Sequence, residues 1–113
     1  MESAQMSPAA FANALFAAAE QHAAAQGFRF GDGAQTDIRR FSVDATTRVS
    51  SRRGGVLDDA SLREARAAFT RLIDEMVKAS KEIPGYRETH PGVIGERTLG
   101  QALANLCPFW PIC

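Results

Sequence analysis

The chain has 113 residues, a mass of 12.2 kDa, and 13 basic against 13 acidic side chains, so its formal charge is zero. That length fits one domain, and the composition excludes a disordered chain, a collagen-like repeat and a disulfide-dense secreted scaffold. Hydrophobic residues make up 45%, yet 20 of them are alanine, which leaves material for one modest core.

No Lys or Arg precedes Arg29, so the start lacks the positive region of a secretory signal. The alanine-rich run from Ala9 to Ala25 is broken by Asn13, Glu20, Gln21 and His22. Nothing approaches the roughly 18 apolar residues of a membrane span. The expectation is a cytoplasmic protein with no membrane span, with Cys107 and Cys113 as thiols; leaderless export stays open. Eleven Arg against two Lys, with abundant Ala, suggests a GC-rich bacterial source.

Ser7 followed by Pro8 opens a first helix, with serine as cap and proline at the first helical position. Phe11, Leu15, Ala18 and His22 line one stripe, widened by Ala12, Phe16, Ala19 and Ala23. Gly27 is placed just past its end. The middle of the chain predicts β structure. Phe28-Arg29-Phe30 alternates, Gly31-Asp32-Gly33 is a turn, and from Arg40 to Ser50 apolar and polar residues alternate strictly. Phe41, Val43, Ala45, Thr47 and Val49 would share one face, with Arg40, Asp44 and Arg48 among the residues on the other. Ser51 to Gly55 then reads as a loop.

The second helix has the longest apolar stripe: Leu62, Ala65, Phe69, Leu72, Ile73, Met76, Val77 and Ser80. Ser61 and Glu64 have capping-box spacing, and Arg71–Glu75 and Asp74–Lys78 are i,i+4 pairs for its wet face. Pro84-Gly85 ends it. After a loop from Tyr86 to Gly95, Thr98 and Gln101 suggest a second capping box for a short third helix running to Pro108. The fold class is thus a single α+β domain over residues 1–113, mostly helical. It has three helices and a small antiparallel hairpin between the first and second.

Three segments carry candidate function. Arg40 and Arg48 share the polar strand face, and Arg52 and Arg53 extend it; residues 28–55 hold six Arg against three Asp. Guanidinium groups bind carboxylates and phosphates through forked hydrogen bonds. No aromatic interleaves these arginines and no basic recognition helix accompanies them, so a protein partner is expected ahead of nucleic acid. The tail over residues 107–113, Cys-Pro-Phe-Trp-Pro-Ile-Cys, contains the only Trp. Phe109 and Trp110 suit either an apolar plug of the core or a knob for a partner. Five residues separate its two thiols and no histidine stands beside them, which is not zinc-site spacing, so no metal and no cofactor is expected. The loop holding Arg87, Glu88 and His90 is the one place where acid, histidine and tyrosine cluster. Phosphate loops, nucleophile elbows and zinc-protease motifs are absent. The function expected is that of a small non-enzymatic interaction or regulatory protein, binding through the tail or the arginine face. The alternatives are a small enzyme or toxin-like effector using Arg87, Glu88 and His90, or a carrier of a C-terminal peptide.

Overall fold

A computed structural model describes residues 5–106 of the chain. Five helices, α1 (Pro8–Ala25), α2 (Asp32–Arg52), α3 (Asp59–Glu82), α4 (Tyr86–Thr89) and α5 (Glu96–Leu106), make the described chain 76% helical. Two strands of two residues each, β1 (Arg29–Phe30) and β2 (Val93–Ile94), pair in parallel with Arg29 opposite Val93 and Phe30 opposite Ile94. The fold is therefore helix packed on helix, not α+β with an antiparallel hairpin.

The first helix forms as its sequence predicts. Ser7 Oγ accepts the Ala10 N–H at 3.1 Å, Pro8 occupies the first helical position, and Gly27 follows the end at φ 85°. Phe11, Leu15, Phe16, Ala19 and Ala23 are buried. This stripe packs against both α2 and α3. At its edge Arg39 of α2 lies over the Phe16 ring, 4.1 Å from the centroid, and His22 Nε2 sits 2.7 Å from Asp74 Oδ1 of α3.

The expected hairpin is replaced by α2. Its buried residues are Ala34, Ile38, Phe41, Ser42, Ala45, Thr46 and Val49, a run with helical spacing throughout. Val43 is 56% exposed and Thr47 is exposed, where the strand pattern would bury both. Hydroxyls that favour a strand in isolation are accommodated along the helix. Ser42 Oγ donates to the Ile38 carbonyl at 2.9 Å, Thr46 Oγ1 to Ser42 at 2.7 Å and Thr47 Oγ1 to Val43 at 3.1 Å. The predicted Gly31–Gly33 turn is the start of this helix: Gly31 is its cap and Asp32 places an acid at the positive end. Gly33 lies against the exposed Glu96 side chain at the start of α5, which would have to swing aside for a Cβ.

Helix α3 has its predicted core face, with Phe69, Leu72, Ile73 and Met76 at 1% exposure or less. Its cap lies one turn earlier than Ser61–Glu64. Asp58 accepts the Ser61 N–H at 3.0 Å, while Ser61 Oγ accepts the Asp58 N–H at 2.9 Å, a reciprocal capping box. Asp74 and Glu75 face neighbouring helices, Asp74 toward His22 and Gln26 of α1 and Glu75 toward Asn105 of α5. In α5 the start also lies earlier than expected. Helix begins at Glu96, and Thr98 is buried inside the first turn with its hydroxyl on the Gly95 carbonyl at 2.7 Å. The loop before α5 holds α4 and β2, fixed by the Gly95 N–H donating to the buried Tyr86 hydroxyl at 2.9 Å.

The Asp58 cap carries a pH signature. The Ser61 N–H, then the Ser61 hydroxyl, and also the nearby Arg53 hold its carboxyl below the ordinary value of 3.8. A depressed carboxyl pKa contributes stability that is present above the unfolded value and lost as pH falls through the folded one. Asp58→Ala is expected to lower the thermal midpoint at pH 7, and the gap to the native chain should close as pH drops below about 3.8. Paired melts at pH 7 and pH 3 check this; a gap of equal size at both would remove the carboxylate from the cap.

Candidate functional site

Among the described residues, the C-terminal half of α2 and the N-terminal half of α3 meet only sparingly, while each packs on α1. Small side chains explain the gap. Ala45 on α2 and Ala65 and Ala68 on α3 stand where larger residues would close the interface. The result is a groove of about 350 Å³, floored by these alanines with Val49, Phe69 and the buried Ser61, and rimmed by Arg48, Arg52, Arg53 and Glu64. That volume falls in the range of sites that take a ligand or a large side chain.

The arginines reach the rim because α2 is helical. Arg48 and Arg52 are four residues apart and share one face, and Arg53 is the C-cap. Arg52 in the last turn and Arg53 at the cap sit at the negative end of the helix, where cations are favoured. Arg53 spans the turn to α3, with Nη2 3.7 Å from Asp58 Oδ1 and Nη1 3.9 Å from Glu64 Oε2. Such long, partly exposed contacts contribute little stability, but they hold one guanidinium over the groove mouth. The Ser61 hydroxyl is committed to the Asp58 cap, through its bonds to Asp58 O and Oδ1. What the groove offers is therefore apolar surface beside planar cationic donors.

Arg40 does not join this set. Eight residues before Arg48, it is turned about 80° away around the helix. It pairs with Asp37 at 3.3 Å and lies over the Phe41 ring at 5.5 Å. A strand would have put Arg40 and Arg48 side by side; the helix separates them. Arg87, Glu88 and His90 are exposed on α4 and its C-cap. The His90 ring stacks on Tyr86 at 4.4 Å between centroids, and its Nδ1 is 2.8 Å from Thr89 Oγ1. These local contacts hold the imidazole against its own turn, and no ion pair or hydrogen bond joins His90 to Arg87 or Glu88 among the described residues. Phe109 and Trp110 lie outside the described residues. Among the described residues no group of three His, Cys, Asp or Glu side chains could hold a metal ion, and no helix is long and apolar enough to cross a membrane.

Of the arginines expected to bind a partner, Arg48, Arg52 and Arg53 line this groove and Arg40 does not. Ala65 and Ala68 carry no signal as individual residues, whereas the i,i+4 spacing of Arg48 and Arg52 was a helical cue. No family model, no curated protein and no solved structure matches the chain.

Proposed function

We propose that the chain is a small non-enzymatic binding protein that takes an apolar, acidic segment of a partner protein into the groove between α2 and α3. The observation that carries this reading is the juxtaposition of an apolar floor with Arg48, Arg52 and Arg53 at one rim. The floor rewards burial of a side chain, and guanidinium forks match carboxylates. A phosphate backbone would use the charge and leave the floor idle, which favours protein over nucleic acid. The arginine- and alanine-rich composition fits work in a bacterial cytoplasm. The loop holding Arg87, Glu88 and His90 is the weaker candidate, because its imidazole is engaged by Tyr86 and Thr89 of the same turn.

The probe for the test is anilinonaphthalene sulfonate (ANS), which joins aromatic rings to an anion. It is expected to bind at one saturable site whose affinity falls with added salt. Ala65→Phe, which fills the groove, should abolish that site. Arg48→Gln and Arg52→Gln should each weaken it roughly fivefold, the order expected for loss of one charge-assisted contact. Affinity unmoved by Ala65→Phe would place the probe elsewhere and sink the groove reading.

A further inference from the structure

Where the turn joins α2 to α3, the groove carries charges of both signs. Among the described residues, Arg53 at the end of α2 faces two carboxylates at the start of α3, Asp58 at 3.7 Å and Glu64 at 3.9 Å. Both distances exceed a hydrogen bond, so neither acid engages the forked donors of the guanidinium. The two acids differ in how firmly they are held. Asp58 is built into the α3 cap, where it accepts the Ser61 N–H at 3.0 Å and the Ser61 hydroxyl at 3.0 Å. Glu64 has Arg53 as its one ion-pair partner among the described residues. The residues of α3 three and four positions from it are Ala60, Ser61, Ala67 and Ala68, so no cation of its own helix draws it aside. Its side chain is 81% exposed. Glu64 can therefore leave Arg53 for water without breaking a hydrogen bond. We infer that Glu64 is a built-in competitor for the anionic group of the groove's ligand: it holds the Arg53 guanidinium in the free chain and gives way to a carboxylate of the partner segment.

Geometry gives the incoming group its advantage. A carboxylate tethered to α3 stops at 3.9 Å, whereas one on a ligand is free to approach and form two parallel bonds of roughly 2.7–2.9 Å. Arg52, exposed beside Arg53, adds a second cation at the same end. The apolar floor extends the other way: Ala45 lies roughly 10 Å along α2 from Arg52. The segment that fits carries its carboxylate at the turn end and an apolar side chain toward Ala45, Ala68 and Phe69. A small anion offers only the exchange of one carboxylate for another, while such a segment also buries apolar surface. Glu64 thus couples recognition of charge to filling of the floor. This inference rests on the groove of the proposed function and adds its selectivity.

Two probes with the same rings test this on the full chain. ANS carries a sulfonate in place of the partner's carboxylate, and N-phenyl-1-naphthylamine is its uncharged counterpart. Glu64→Gln is expected to tighten ANS binding about threefold, the size of one exposed ion pair, and to leave the neutral probe unchanged. Arg53→Gln should weaken ANS binding, and Glu64→Gln added to it should bring no further gain. If Arg53→Gln disturbs the end of α2, as circular dichroism would report, Arg53→Met replaces it and keeps the aliphatic stem. A gain from Glu64→Gln that persists without Arg53 would come from the field of the whole rim, and overturns the inference. Equal tightening of both probes overturns it too, because the gain would then come from space and not from charge. ANS affinity unmoved by Glu64→Gln, at a site still lost in Ala65→Phe, overturns the inference and leaves the binding groove standing. ANS binding that ignores Ala65→Phe, or no ANS binding at all, removes the proposed function and this inference with it.

Discussion

Replacing Phe69 with alanine is expected to lower the unfolding free energy by about 3–5 kcal/mol, the range for large aromatic truncations in a core. The side chain is 1% exposed and sits near the middle of α3, the helix that packs against both α1 and α5. For a domain whose whole stability is about 5–15 kcal/mol, that loss is a large fraction of the total. Phe69 also floors the α2–α3 groove, so the space it leaves would join an existing opening rather than form a sealed void. Entry of solvent would relieve part of the cavity cost, which puts the expected value at the lower end of the range. Urea unfolding followed by circular dichroism measures it, with Ala67→Ser on the exposed face of the same helix as a control near zero. A loss below about 1 kcal/mol for Phe69→Ala would move this residue to the surface and break the assignment of α3's buried face.

The helices that were legible in the sequence are those whose boundaries carry side-chain chemistry. For α1 a serine cap, a proline and a terminal glycine coincide with an alanine-rich stripe, and each cue agrees with the others. For α3 the buried stripe is long enough to overwhelm an error of one turn in the cap, where Asp58 took the place assigned to Ser61. Helix α2 was obscured by an arithmetic coincidence. Phe41, Ala45 and Val49 are spaced by four, and a spacing of four satisfies both a period of two and, nearly, a period of 3.6. Val43 and Thr47, which the helix exposes, and Ser42 and Thr46, which it buries, separate the two patterns, and the β-branched Val43, Thr46 and Thr47 bias a local reading toward strand. The deciding signal lay upstream, in the fully buried Ala34 and Ile38: the step of three from Ile38 to Phe41 suits a helix and breaks a period of two. Gly31 and Gly33 masked that signal, because glycines mark turns in isolation but serve here as a cap and a close contact with Glu96.

The candidate site follows the same logic. Arg48, Arg52 and Arg53 were singled out by charge density, and they do line one groove. Arg40 was grouped with them only because a strand puts alternate residues on one side. The alanine floor was invisible, since a gap between helices is made by what neighbouring side chains lack. Such absence is legible only once the elements are placed against each other.

One adjacent pair of residues tests helix against strand at α2. Ser42 is 1% exposed and Val43 is 56% exposed. A strand with Phe41, Val43 and Ala45 inward would reverse those values, because neighbouring side chains in a strand point to opposite faces. Ser42→Asp places a carboxylate in the core where a hydroxyl now bonds the Ile38 carbonyl at 2.9 Å. An acceptor-only group cannot replace that donor, and an uncompensated buried charge is expected to cost about 3 kcal/mol or more. Val43→Asp puts the same charge into water and should change stability by no more than about 0.5–1 kcal/mol, including the modest penalty of aspartate inside a helix. Both substitutions introduce the same side chain one residue apart, so intrinsic helix propensity cancels in the comparison. Thermal or urea unfolding of the two variants gives the difference directly. Loss of the fold in Val43→Asp together with tolerance of Ser42→Asp would restore the strand, separate Arg52 and Arg53 from the groove, and remove the ground on which the binding site stands.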